Sequence, residues 1–253
     1  MAPAAPAVPT PRPSGWSLLK QATCGATQAE PARVNTLGIS GWINDQMTKP
    51  MTGYPNAKYN RIQLTTTTDC TTQMPGGGNY PGDSSQSMCA RDHLTLAMLQ
   101  RDFFQNAVSG GDQLRQRVAW ALSQILVTSG NEPDLSYAHA MSRYQDLMFQ
   151  EAFGNFESLL LKLTYNPAMG NYLDMVNNDR PAGTRVPNEN YAREIMQLFT
   201  IGLQELNIDG KPILAAGVPI PTYDETDIAE FSRTFTGYTY ANAVNPTLPA
   251  TNK

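Results

Sequence analysis

The chain has 253 residues, 41% of them hydrophobic, which is room for one large core, and it carries a formal charge of -4 with a pI near 5.2. That balance leaves no basic footprint and excludes nucleic acid as a partner class. No apolar run approaches the length needed to span a bilayer. Residues 1–13 alternate Ala and Pro and read as an extended leader, without the charged and apolar regions of a secretory signal. From Ser14 a short helix carries Trp16, Leu18 and Leu19 up to the break at Gly25. Thr27 with Glu30 three positions on forms a capping box that opens a second helix through Val34 and Leu37. A third runs from about Ser40 through Trp42, Ile43 and Met47 to Pro50.

Residues 50–87 change character, with four consecutive threonines, three consecutive glycines at Gly76 to Gly78, and Pro55, Pro75 and Pro81. This is a loop insertion. No Lys-Ser or Lys-Thr pair follows the glycines, so a phosphate loop is rejected. Cys70 and Cys89 flank this segment, and they are expected to pair in an oxidising compartment. In the chain-entropy model such a closure is worth about 3 kcal/mol. The alternative, all three cysteines reduced, stands beside it.

From Met88 the helical period returns, with Leu94, Leu96, Ala97, Met98, Phe103 and Phe104 in one helix ending near Gly110. Asp112 is placed to cap the next, whose buried side is expected at Leu114, Val118, Ala121, Leu122 and Ile125. Asp134 opens a helix through Tyr137, Met141, Tyr144 and Met148, a Met and Tyr stripe that reads as packing. Phe156, Leu159, Leu160 and Leu163 continue the core after Gly154, and Pro167 starts a short helix with Tyr172, Leu173 and Met175 that directs Asp174 away from its apolar face. Beyond Gly202 the period changes to two. Leu206 and Ile208, the turn Asp209-Gly210, Ile213 and Leu214, the turn Ala216-Gly217, then Val218 and Ile220 form a small hairpin. Asn207 to Gly210 resembles half a calcium loop, but the other ligands are missing and a turn fits better. Asp224 and Asp227 open a last helix through Ile228, Phe231 and Phe235. The expected fold is mainly α: an irregular multi-helix domain over residues 14–240 with a long Gly/Pro/Thr-rich loop, one small β-hairpin and a loose tail over 241–253.

The most constrained stretch is Pro187 to Gly202. Tyr191, Ile195, Leu198, Phe199 and Gly202 share one side of a helix, while Asn190, Arg193, Glu194, Gln197 and Thr200 share the other. Asn188 can act as its N-cap and Gly202 as its stop. Two readings of the polar side stand. In the first, Asn188, Asn190, Arg193 and Gln197 belong to a buried network with Glu189 and Glu194, and truncating Arg193 costs about 3 to 5 kcal/mol. In the second, Glu194 and Glu189, or Asp174, form an acid pair and Arg193 sets the pKa.

Asn188-Glu189-Asn190-Tyr191-Ala192-Arg193-Glu194, Leu198-Phe199-Thr200-Ile201-Gly202 and Phe235-Thr236-Gly237-Tyr238 resemble the bacterial family catalogued as domain of unknown function 1800. Gln21-Ala22-Thr23-Cys24-Gly25-Ala26-Thr27, Leu114-Arg115-Gln116-Arg117 and Asn166-Pro167-Ala168-Met169 match in the same order. The resemblance implies a large, mainly helical, exported bacterial protein of no accepted activity, often encoded beside an exported sulfatase-like protein. It therefore implies a periplasmic or extracellular location, a trimmed mature start and an N-terminal portion of a longer protein. Cys24 stands where the family carries Phe, which implies a small buried position.

With two histidines, His93 and His139, and no Gly-x-Ser-x-Gly elbow, a serine hydrolase has little to build on. The cysteine spacings make no zinc motif, and no cofactor is implied. Carboxylates remain, Asp92, Asp146, Asp174, Glu189 and Glu194, with Tyr165, Tyr172, Tyr191 and Trp120 as sugar platforms or core. Two functions follow from this supply. One is an exported scaffold or interaction protein acting with the sulfatase-like neighbour. The other is an extracellular hydrolase of glycoside hydrolase type, acting on a polysaccharide or another surface polymer through paired carboxylates. Arg115 or Arg117 is expected to reach the 188–200 helix or to make a surface pair.

Overall fold

In a computed structural model of the chain, described for residues 15–25, 27–54, 96–131 and 138–240, helices dominate and the regular β structure is one two-stranded hairpin. The leader, the Cys70–Cys89 pair and the tail lie outside the described residues. Helix α1 spans Gly15–Ala22 and α2 spans Glu30–Met47. Gly38, at φ 72° and ψ 168°, divides α2 into the two short helices expected there. Leu19, Val34 and Trp42 close a small core between them.

The capping box at Thr27 does not form. Helix α2 starts from Ala29 with no side-chain cap, because the Glu30 carboxylate is taken by the Trp42 Nε1 donor at 2.9 Å and by Arg33. Cys24 is free and exposed rather than buried. Its neighbour Thr23 turns inward instead and donates its hydroxyl to the Leu19 carbonyl at 2.7 Å.

The main core is built by α3 (Ala97–Ser109), α4 (Gln113–Ile125), α5 (Ala138–Glu151), α6 (Phe156–Thr164) and α7 (Pro167–Tyr172). Met141, Tyr144 and Met148 are buried as the stripe predicts. Helices α6 and α7 begin on Asn155 and Asn166, whose side chains accept from Ser158 N and Ala168 N. In α4 the buried positions are Gln116 and Ala119, with Asp112 before and Leu126 after. Ala121 and Ile125 are exposed. A polar row therefore faces inward where the apolar pattern points elsewhere.

The chain closes with α8 (Asn190–Glu194), a π turn over Ile195–Phe199, the strands β1 (Leu214–Ala215) and β2 (Val218–Pro219), and α9 (Glu225–Ser232). Strands β1 and β2 pair antiparallel, Leu214 with Pro219 and Ala215 with Val218. Both turn residues have positive φ, Ala216 at 51° and Gly217 at 84°, as a two-residue hairpin of this twist requires. Helix α9 opens at Asp224 and Asp227 as expected, and the two form a capping box. No described helix is long and apolar enough to cross a membrane.

Candidate functional site

Helix α8 is shorter than its amphipathic pattern predicts. After Glu194 the backbone widens into the π turn, which seats one more residue than α register allows. Thr200 donates its hydroxyl to Ile195 O at 2.6 Å, Gly202 N donates to Met196 O at 2.9 Å, and Gly202 ends the helix at φ 74°. Tyr191, Ala192 and Phe199 are buried and Ile195 is partly so, while Leu198 is exposed instead of packed.

The inner side of α8 joins segments far apart in sequence. The Tyr191 ring meets Phe235 edge-on at 4.9 Å, and its hydroxyl shares a 2.8 Å hydrogen bond with Thr164. Burial pushes this phenol up to about 12. Asn178, itself buried, grips the helix entrance, accepting from Asn188 N at 2.7 Å and donating to Asn188 O at 3.1 Å. Its own carbonyl accepts from Gly237 N at 2.8 Å, and Asn177 N donates to Tyr238 O at 2.7 Å. The segments 164–169, 188–194 and 235–238 thus meet around one helix. Asn178, a lone amide in a polar loop with no local pattern to mark it, ties the last two together.

The polar side of α8 lies at the surface. Arg193 donates to Glu189 at 3.1 Å and, through two nitrogens, to both oxygens of Glu225 at 3.0 and 2.9 Å. The Arg193 and Glu189 side chains are about a third exposed and that of Glu225 is 78% exposed. The Arg193 hydrogen bonds hold the Glu225 carboxyl below its ordinary range. Asn188 Oδ1 accepts from Asn190 N at 2.8 Å, and Asn190 donates to Asp174 at 2.8 Å from its amide. The structure therefore brings Asn188, Glu189, Asn190, Arg193 and Asp174 together and adds Glu225 from α9. Glu194 and Gln197, half-buried on the next turn, share no side-chain hydrogen bond with them among the described residues. The network is a surface clasp, not the buried one expected, because its partner carboxylates face solvent. Among the described residues no group of three or more His, Cys, Asp or Glu is placed to hold a metal.

Neither expected arginine reaches α8. Arg115 donates to Phe149 O at 2.8 Å and lies 4.6 Å over the Phe153 ring. Arg117 donates to Gln21 O at 3.2 Å and lies 4.5 Å over the Trp120 ring.

A second polar cluster has its carboxylates inside the protein. Residues 51–54 form a strap across α4 and α5. Thr52 N donates to Asp112 Oδ2 at 2.9 Å, Gln116 Nε2 donates to Thr52 O at 2.7 Å, and Tyr54 N donates to Asp146 Oδ1 at 2.9 Å. Asp112 is completely buried and does not cap its own helix. Gln46 performs part of that task from α2, its amide oxygen accepting from Leu114 N at 3.2 Å. Burial raises the Asp146 carboxyl above its ordinary range, against the opposing Tyr54 N–H and Arg143. At Gly53 a Cβ would stand 2.6 Å from Asp146 Oδ1, so only glycine lets the strap pass this close.

Two clefts lie away from α8. One, of about 330 Å³, is rimmed by Arg33, Gln46, Lys49 and Gln113. The other, of about 370 Å³, is lined by aromatic, aliphatic and amide side chains of α3, α4 and α5, with Leu96 just ahead of α3.

The ribbon between residues 203 and 222 is a third feature. Glu205 N donates to Ile220 O at 2.9 Å, Ile213 N to Glu205 O at 2.8 Å and Ile220 N to Ile213 O at 3.0 Å. The Asn207 to Gly210 turn closes with a 2.8 Å bond from Gly210 N to Asn207 O. Leu214 and Val218 alternate across the hairpin, yet both are exposed, as are Leu198, Ile201, Leu203, Leu206 and Ile208.

A family model described as a protein of unknown function (DUF1800) matches residues 17–252. Neither the curated proteins nor the solved structures contain a match to the chain.

Proposed function

The chain belongs to the DUF1800 family, and from that premise we propose that it is an exported interaction protein, acting by docking rather than by catalysis. The observation that carries this reading is the ribbon. A two-stranded hairpin is marginal in water and gains its stability by being covered, but here neither face is covered: Leu214 and Val218 point to opposite sides and both are more than half exposed. Ile208 at the neighbouring turn is fully exposed. Exposed apolar side chains gathered on one short ribbon in this way mark a protein contact. The ring of Glu205, Asp209 and Lys211 supplies the polar rim such contacts carry.

The occupant proposed is the sulfatase-like exported protein that the family resemblance implies. The carboxylates at α8 support docking over hydrolysis, since Glu189 and Glu225 are both tied to the Arg193 guanidinium at the surface, an arrangement that holds a carboxylate ionised rather than poised to give up a proton. The test is co-expression of the full chain with the sulfatase-like protein encoded beside it, followed by affinity capture and size exclusion. Co-elution is expected, and Ile208→Lys with Val218→Lys should abolish it while leaving the melting temperature unchanged. Absence of co-elution, or co-elution indifferent to both lysines, overturns the reading.

A further inference from the structure

The cleft of about 370 Å³ is bounded by Phe103, Phe104, Trp120, Gln100, Gln124 and Gln145. It stands on α3, α4 and α5, away from the ribbon, and takes no part in the docking proposed above. We propose that it is a binding site for a neutral sugar unit of a polysaccharide.

Three features select that ligand. First, none of the described residues lining the cleft is charged, so contact inside it is made by rings, aliphatic groups and neutral polar groups. Second, the Gln145 amide oxygen is buried and has no hydrogen-bond partner among the described residues. It sits where the cleft meets a narrower recess lined by Ala119, Met148 and Phe149. A buried acceptor left without a donor is costly, so the amide gains by turning into the cleft toward a ligand hydroxyl. Third, the rings are presented rather than packed away. Phe104 is 67% exposed and meets Phe103 edge-on at 5.4 Å, and Arg117 lies over the Trp120 ring at 4.5 Å and holds it in place.

A pyranose combines an apolar C–H face, which suits an aromatic ring, with a rim of hydroxyls that donate and accept, which suits glutamine amides. An alkyl chain would leave the amides unmatched. A peptide needs a sheet edge or an extended groove, and this cleft is bounded and of small-ligand size, in the range of roughly 300–1,000 Å³.

The experiment is calorimetric and fluorescence titration of the full chain with neutral hexasaccharides of glucose, mannose, xylose and N-acetylglucosamine, with polygalacturonate as the charged control. Saturable binding of at least one neutral probe is expected, with a change in tryptophan emission. Phe104→Ala and Gln145→Leu should each weaken it by at least about tenfold. Phe104 is exposed, so its variant keeps the fold even where Gln145→Leu does not. Failure of every neutral probe up to roughly 10 mM, or binding unchanged in Phe104→Ala, overturns the proposal. So does preferential binding of polygalacturonate, of an alkyl detergent or of an apolar peptide that survives Gln145→Leu.

Discussion

The strap at residues 51–54 and the clasp on α8 use the same chemistry, carboxylates accepting from N–H donors, at opposite depths. In the strap the acceptors are Asp112 and Asp146, buried, and the donors are backbone amides. On α8 the acceptors are Glu189 and Glu225, open to water, and the donor is a guanidinium. Depth decides the energetics: a buried group that loses its partner is stranded, whereas an exposed one is taken up by water. Depth also decides the direction of the pKa. Burial raises Asp146, while Arg193 lowers Glu225.

The largest effect is expected from Asp112→Ala. It strands Thr52 N, removes one of the two acceptors of the Gln116 amide and takes the counter-charge from the largely buried Arg115, 3.8 Å away. The loss should be about 3 to 5 kcal/mol by urea denaturation, and a loss below about 1 kcal/mol would show that depth does not separate the two regions. Asp146→Ala leaves the Tyr54 amide without its acceptor and should cost about 1 to 3 kcal/mol. Gly53→Ala, which drives a methyl against the same carboxylate, should cost a similar amount, about 1 to 3 kcal/mol. Asp146→Asn keeps the acceptor and removes the charge, so its melting temperature at neutral pH should stay close to that of the parent. Arg193→Ala should cost less than about 1 kcal/mol, far below the value expected of a buried network; a loss like that of Asp112→Ala would place α8 among the buried clasps after all.

The smallest effect, and the sharpest contrast, is in pH. The folded chain binds the Asp146 proton more tightly than the unfolded one. Its contribution is therefore complete below the unfolded value of about 3.9 and is lost as pH rises through the folded value. Glu225 behaves in the opposite sense. Its contribution is present above the unfolded value of about 4.3 and is lost as pH falls through the folded value. As pH is lowered from about 7 to about 3, the parent should gain stability relative to Asp146→Asn and, at the acid end, lose it relative to Glu225→Gln. Parallel melting curves across that range would remove the distinction.

Much of this fold was legible in the sequence. The break between Leu37 and Ser40, the Met and Tyr stripe of α5, the start of α9 at Asp224 and Asp227 and the Ala216-Gly217 turn are local patterns, written in neighbouring residues. The strap was not legible, since its donors and acceptors are separated by 60 and 92 positions. Hydrophobic periodicity, moreover, assigns inward faces to apolar residues and passes over Asp112 and Gln116. Thr27 looked like a cap because Glu30 stood three places on, but Trp42 claimed that carboxylate. On α8 the residues expected to cluster do so for the most part, while Glu225, the partner that fixes Arg193, comes from another helix. Nothing local could name it.

Taken as a count of residues rather than as a shape, the π turn at Ile195–Phe199 is an insertion. A chain one residue shorter here would close the span in α register, and everything beyond Phe199 would rotate by about 100° relative to α8. The direction in which the ribbon leaves the body is thus set by a single-residue length difference. Insertion and deletion at this turn, more than substitution along the ribbon, is the step by which descendants of such a chain would re-aim their apolar arm.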